Sequence, residues 1–367
     1  GTGGKVTAIT TDCEPSMVRM GRLLEQSGVC THIGCCNHRL ESTTSLVFNG
    51  PGVKTTMTLA RGLVSRYTTS SQMADRLAQF VNIYLGSDNK KPIQDVVTRW
   101  WSSCAMGSRL VELKKPIRKH EEADKLELML RAEHWAVLEM ILPILEPFMH
   151  TQTLLEGRKY VTGRLVVPFI HDLRDNLEAA VMPCVKALHE DFINRWGDGN
   201  NILTYAEGSR RQPRGFKSVQ VLATALDPHT KMLYGTPDDE HADMWKFVQS
   251  ESVKVALATR QEKNSTEEKD HGTGGVNKGS EEEVESEEDD SEENQDGRKS
   301  RRVNLDPLDW WRKKSADFPH LSILARRVLA IPATQAESER LFSCAGNIGT
   351  KNRNKLASST VELLVLL

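Results

Sequence analysis

KVTAITTDCEPSMVRMGRLLEQSGVCTHIGCC, residues 5–36, is the stretch whose reading decides the fold class. Five of the six residues from Val6 to Thr11 are β-branched and the run stops at Asp12, the pattern of a strand. Pro15 suits a first helical turn, Met17, Met20 and Leu24 recur on one face, and Gly28 supplies a stop. A second β-like run, Val29 to Cys36, completes a β-α-β unit, for which parallel pairing with a right-handed crossover is the default. Asp12 is thereby expected at the carboxyl end of a strand, where open α/β sheets place their chemistry.

Beyond residue 38 the pattern turns helical. Segments 52–68, 70–85, 100–115, 124–155, 163–181, 185–196 and 242–259 carry apolar residues three and four apart. Pro143 and Pro147, inside EMILPILEPFM, are expected to kink or divide the fourth of these. Residues 261–302 hold few apolar side chains and no aromatic one, so they read as a disordered acidic linker that cannot offset its ordering entropy. The cluster Arg298, Lys299, Arg301 and Arg302 at its end is either part of that solvated spacer or a nuclear-import patch. Structure is expected to resume at Leu305 with Trp310 and Trp311, a helix striped by Leu321, Leu324, Val328 and Leu329, and two more near 334–345 and 359–367. The division is therefore 1–50 for the β-α-β part, 51–260 for a helical block, 261–302 for the linker and 303–367 for a C-terminal part.

Composition narrows the class. The chain has 367 residues, 38% of them apolar, enough for a real core. Nowhere does it carry about 18 uncharged apolar residues in a row, which disfavours membrane spanning, and its start lacks the pattern of a secretion signal. The net charge of −2 conceals a polarised distribution: residues 281–296 hold 11 acidic side chains and no basic one, and the remaining chain is basic. A basic body leans mildly towards a nucleic-acid partner. Seven cysteines, odd in number and sparse, fit a reducing compartment, cytosol or nucleus.

Few side chains carry chemistry on their own. Asp12 either caps the following helix or serves as a catalytic carboxylate. Glu339 lies in AESERLFS, a helix whose Leu341, Phe342 and Ala345 are expected to face the core; it is either solvated or a second catalytic acid. Phosphoryl transfer on nucleic acid commonly uses carboxylates that hold a pair of Mg²⁺ ions. Cys30, His32, Cys35, Cys36 and His38 place five potential ligands in nine residues. Zinc is disfavoured there, because structural zinc sites draw from two separated knuckles and a strand alternates its side chains between faces. Arg99, Trp100 and Trp101 open a helix: the indoles are either core residues or, with Arg99 on a phosphate, a platform for an unpaired base.

Taken together and in order, these segments resemble the hAT superfamily of transposases and their BED-zinc-finger relatives. Asp12 in ITTDCEPSMVRM resembles the second catalytic Asp of the TDN-x-x-N-M segment, with Cys13 and Ser16 in place of the usual Asn residues. Cys35-Cys36-Asn37-His38 fits the C-x-x-H element and Thr98-Arg99-Trp100 the TRW element, and Cys35, His38, Arg99 and Trp100 are the implied DNA contacts. Leu226-Asp227-Pro228-His229-Thr230-Lys231 resembles LDPR-x-K, with His for Arg. Ser338 to Gly346 followed by Lys351-Asn352-Arg353 closely resembles the SER-x-F-S-x-A-G…K-x-R signature of the C-terminal dimerisation region, whose Glu is the third catalytic acid.

The resemblance implies an α/β protein with a large α-helical insertion. Its RNase H-like core is split in sequence, and the N-terminal strands of that core are expected to be missing from this chain. It implies cut-and-paste DNA chemistry with Mg²⁺ or Mn²⁺ on Asp12 and Glu339, DNA (transposon ends or genomic sites) as partner, a homo-oligomer through the C-terminal region, and a nuclear location. The first catalytic Asp of the pattern and a BED-type finger have no counterpart among these residues, since none of the 11 residues before Asp12 is acidic. The expectation is a partial transposase, inactive alone, or alternatively a domesticated, non-catalytic, dimerising DNA-associated protein.

Overall fold

Strand β1, Ala8–Thr11, pairs in parallel with β2, Thr31–Gly34, in the register Ala8↔Thr31 to Thr11↔Gly34. Helix α1, Pro15–Gln26, makes the crossover, with Pro15 in its first turn as the sequence requires. The computed structural model describes residues 7–86, 90–96, 100–179, 183–197, 215–230, 238–267 and 306–348. Within them this pair of strands is the whole sheet, and the rest is helical. The helix packs on the sheet at unusually close range: a Cβ added to Gly21 would lie 2.1 Å from the His32 ring of β2, so a hydrogen is all that fits there.

The second strand is shorter than its β-like run. Cys35 only precedes a helix that Cys36 begins, α2, Cys36–Asn49. The helical body continues with α3 (Pro51–Thr69), α4 (Ser71–Leu85), α5 (Trp100–Glu112) and α6 (Lys114–Ala123). Next come α7 (Ala132–Leu155), a 3-10 turn at Gly163–Leu165, α8 (Val166–Ala179) and α9 (Pro183–Trp196). The chain then adds α10 (Ser218–Ala225), α11 (Asp238–Glu267), α12 (Pro307–Lys313), α13 (Pro319–Leu329) and α14 (Ala336–Ile348). Among the described helices none is long and apolar enough to cross a membrane.

Helix α7 is the axis of the core. Trp135, Leu138, Ile141, Leu142, Leu145, Phe148 and Leu155 recur three and four apart and are buried, against α2, α3, α5 and α8. Each such side chain is worth about 1.5–3 kcal/mol of transfer free energy. That burial on several sides accounts for a departure from expectation: Pro143 and Pro147 lie inside α7 and do not divide it. Each proline removes one N–H donor, a loss that packing along the same helix outweighs. Helix α11 likewise runs to Glu267, past the expected linker boundary at 261; residues 268–305 lie outside the described residues, as does the helix expected at 359–367.

The chain closes on itself through the segment between α13 and α14. Thr10 Oγ1 donates to the Pro332 carbonyl at 2.9 Å and the Cys36 N–H to the Ala333 carbonyl at 3.1 Å. Ala333 N–H donates in turn to Thr162 Oγ1 at 3.0 Å, and Thr334 Oγ1 to the Leu155 carbonyl at 3.4 Å. Gly163 admits this segment, since a Cβ there would sit 2.4 Å from the Ile331 carbonyl oxygen. We therefore expect Gly163→Ala to cost about 1–3 kcal/mol in urea-denaturation stability, because a backbone atom cannot step aside as a side chain can. Gly52→Ala, in α3 with open space around the added methyl, should instead stabilise by about 0.4–1 kcal/mol. Equal effects of the two substitutions would remove this account of the closure.

Candidate functional site

Asp12 leaves β1 at its carboxyl end, half-buried, with Oδ1 accepting the Glu14 N–H at 3.2 Å just ahead of α1. Beside it, Cys13 has its thiol pushed up by burial, against the lowering effect of the Arg39 and Arg195 guanidinium groups. Where β2 ends, the Cys35 N–H donates to the Thr11 carbonyl at 2.6 Å, tying the start of α2 to the end of β1. Both parts of the β-α-β unit thus converge on one edge, as strand carboxyl ends do in open α/β sheets.

The 330–335 segment delivers α14 to that same edge. Glu339 is exposed in the first turn of α14, its Oε1 accepting from Gln335 Nε2 at 3.1 Å. Electrostatics register the convergence. Burial raises the Cys35 thiol to about 11, the Gln335 and His38 backbone N–H groups oppose that rise, and Glu339 and Cys13 add to it. Glu41, raised mainly by burial, also feels Glu339. Asp12 raises the Cys13 thiol, and Glu339 and Cys13 both raise that of Cys35.

Cys35 is 1% exposed and Cys36 wholly buried, and their backbone N–H groups seat α2 against the Thr11 and Ala333 carbonyls. His38 is half-buried one turn into α2. Leu341 and Phe342 are 44% and 73% exposed and do not face the core, because α14 stands on its first turn, anchored through Thr334 and Ala336. Arg99 lies outside the described residues, and of Trp100 only its place as the first residue of α5 is described; Trp101 is half-buried against the core.

Burial governs the histidine and cysteine cluster: His32 Nε2 meets Thr11 Oγ1 at 2.8 Å with its pKa lowered by burial, and burial raises the Cys35 and Cys36 thiols. Among the described residues no three of His, Cys, Asp or Glu are grouped as metal ligands. Carboxylate oxygens are the donors Mg²⁺ or Mn²⁺ prefers, but Asp12 and Glu339 are only two, and an octahedral ion takes the rest of its shell elsewhere.

Sequence reasoning missed a hub. Asp227 is fully buried and accepts from Arg164 Nη1, from Thr230 Oγ1 at 3.1 Å and from the His229 N–H at 3.1 Å; His229 Nδ1 also lies 3.1 Å from its Oδ1. Thr224 Oγ1 donates to the Arg164 carbonyl at 2.9 Å, and Trp311 Nε1 to the Leu226 carbonyl at 2.6 Å. The Leu-Asp-Pro-His element is thus a structural clasp holding the 3-10 turn, α10 and α12 together. Arg39 plays a comparable part between α2 and α9, with its guanidinium 3.5 Å from the centre of the Trp196 ring and Nη1 donating to the Gly215 carbonyl at 3.1 Å. The one signal was Asp227 following the apolar run Val221–Leu226, since a charge cannot be buried unpaired; Arg39, among Asn37, His38 and Glu41, gave none.

Known proteins share this arrangement of segments in sequence. Residues 285–367 match the hAT family C-terminal dimerisation region. Over its whole length the chain is 23% identical to the human "Zinc finger BED domain-containing protein 4", covering 31% of that protein. It is 25% identical to the "Putative AC transposase" of Zea mays over 76% of this chain and 37% of the maize protein. A 61-residue stretch, 17% of the chain, is 43% identical to the "Putative AC9 transposase" of Zea mays and covers 7% of it. The chain spans about a third of the length of the first two relatives.

The clasp makes a testable claim about stability. Arg164→Met leaves the Asp227 carboxylate buried without its guanidinium and should cost about 3–5 kcal/mol in urea denaturation. Adding Asp227→Leu should recover a large part of that loss, since an apolar pair replaces the orphaned charge. A double variant as unstable as the single one would show that the shape of the clasp, and not its charge pairing, holds these elements.

Proposed function

We propose that this chain, which is related to the hAT-family transposases, is the DNA-engaging and self-associating part of a hAT-type transposase or of a protein derived from one. Its β-α-β unit and α14 would form the RNase H-like core, with α2–α11 as the helical insertion. The observation that supports the reading is the return of the 330–336 segment to the carboxyl ends of β1 and β2, which would let two acids 327 residues apart in sequence serve one edge. On this reading Asp12 and Glu339 hold Mg²⁺ or Mn²⁺, which would supply Lewis-acid stabilisation of a phosphate, and Arg99 and Trp100 engage DNA. A nuclear location follows from the DNA partner.

A second reading, a DNA-associated protein without strand chemistry, is favoured by one observation: the described residues offer no third ligand beside these acids. The two readings separate experimentally. Both expect DNA binding that weakens with salt, as phosphate contacts do. Only the first expects Mn²⁺ to bind with a dependence on both acids, so Asp12→Asn and Glu339→Gln should each lower Mn²⁺ affinity in calorimetric titration. Mn²⁺ binding indifferent to both substitutions would remove the metal role.

Self-association is supported by the C-terminal match and by apolar surface on the same region: Phe318, Leu341 and Phe342 are all exposed. A cavity of about 660 Å³ lies between α11, α12 and α13, walled by Trp245, Val248, Trp310, Trp311, Phe318 and Leu321. Sedimentation velocity should find a concentration-dependent dimer that Phe318→Asp and Phe342→Asp weaken. A monomer at every concentration would defeat the claim.

A further inference from the structure

Between α7 and the 3-10 turn the chain reads Glu156-Gly157-Arg158-Lys159-Tyr160, a basic and aromatic turn that the acids' edge does not use. Tyr160 is held rigidly. Its hydroxyl donates to the Leu154 carbonyl at 2.7 Å, and its ring lies so close over Gly157 that an added Cβ would meet it at 2.3 Å. The residue is nevertheless 38% exposed and lines a cavity of about 470 Å³. The opposite wall of that cavity is the closing segment itself, Ile331 and Pro332, with Glu337 of α14 at the rim.

Charge gathers around the cavity. Arg158 is exposed and paired through Nε with Glu337 at 2.8 Å, while Lys159 is exposed and enters no ion pair among the described residues. Helix α13 ends with Arg326 and Arg327, both exposed, just before the residues that wall the cavity. An ion pair between two exposed side chains is weak and readily exchanged for a phosphate. The cavity also lies by the return segment: Pro332 in its lining accepts from Thr10 of β1, and Glu337 in its lining shares the first turn of α14 with Glu339.

We propose that residues 157–160 and this cavity form a second DNA-contact site, in which Arg158 and Lys159 hold backbone phosphates and Tyr160 stacks on an unpaired base beside the acids' edge. The inference rests on the DNA-binding reading above and deepens it by naming the form of DNA: a strand with an unpaired base next to duplex. A ring fixed over a glycine keeps one face ready, so stacking costs little ordering. The surrounding cations explain why a nucleotide, and not a neutral apolar ligand, suits a cavity of this size.

The test uses the full chain, fluorescence anisotropy, and two probes: a labelled blunt duplex and the same duplex with a short unpaired 3′ extension. Tyr160→Ala should weaken binding of the extended probe about tenfold and leave the blunt probe unchanged, and Tyr160→Phe, which keeps the ring but loses the hydroxyl's hold on the Leu154 carbonyl, should weaken the extended probe by less than Tyr160→Ala does. Gly157→Ala keeps every contacting side chain yet displaces the ring, so it should reproduce the Tyr160→Ala pattern. Arg158→Gln and Lys159→Gln should weaken both probes and flatten the salt dependence by roughly one counterion each. Thermal melts of the same preparations allow affinities to be stated per folded molecule. A parent that does not distinguish the probes, or a Tyr160→Ala protein that still does, overturns this site alone. A parent that binds neither probe removes the DNA reading, and the site with it.

Discussion

The hydrogen bonds that carry the 330–336 segment back onto the first strand and second helix are the constraint on which the rest of this protein depends. A two-stranded parallel sheet is a poor nucleus, having few ladder bonds and two open edges. Here the Thr10 hydroxyl, the Cys36 N–H and the Thr162 hydroxyl all engage backbone groups of Pro332 and Ala333. The nearest of these partners, Thr162 and Ala333, are 171 residues apart in sequence, so the loop-closure entropy is met only once the intervening helices have packed. The helical body and the sheet edge therefore stabilise one another.

Buried charges reinforce the joints on which this closure depends. Asp227 with Arg164 fastens the turn that contacts the closing segment, and Arg39 fastens α2 to α9. Asp227 and Arg39 are buried and hydrogen-bonded, the condition under which a buried ion is tolerated. Helix α7, by contrast, is almost purely apolar where it is buried and carries its two prolines without breaking. Near the Arg39 joint a buried aromatic group, Phe148 with Phe192, Trp196 and Phe216, links α7 to α9 through edge and tilted ring contacts.

The kinship with hAT-family transposases and the geometry illuminate different residues. The C-terminal match rests on a segment whose helix α14 exposes the acid at position 339 and the apolar side chains after it. Exposed Leu341 and Phe342 on neighbouring positions are costly for a free surface and sensible for one that meets something else. The element at 226–229, by contrast, contributes no accessible group beyond His229; its acid is consumed in packing.

The amino-acid sequence alone determined the β-α-β start, the helical character of the residues after it, the basic body with its acidic run, and the kinship, because β-branching, three-four periodicity and charge are local properties. Where local signals compete, tertiary structure decided. Cys35 and Cys36 read as strand yet begin a helix because the Cys36 N–H finds Ala333; Pro143 and Pro147 read as breaks yet are carried by burial on several sides. Leu341 and Phe342 read as core, since periodicity reports that a helix has an apolar face and not what covers it. The site divides the same way: Asp12 and Glu339 were visible as residue types in suggestive runs, but only the tertiary structure shows that the segment leading into α14 returns to the end of β1. The roles of Asp227, Arg39 and Tyr160 were invisible, because each is defined by a partner or a cavity wall brought from another part of the chain.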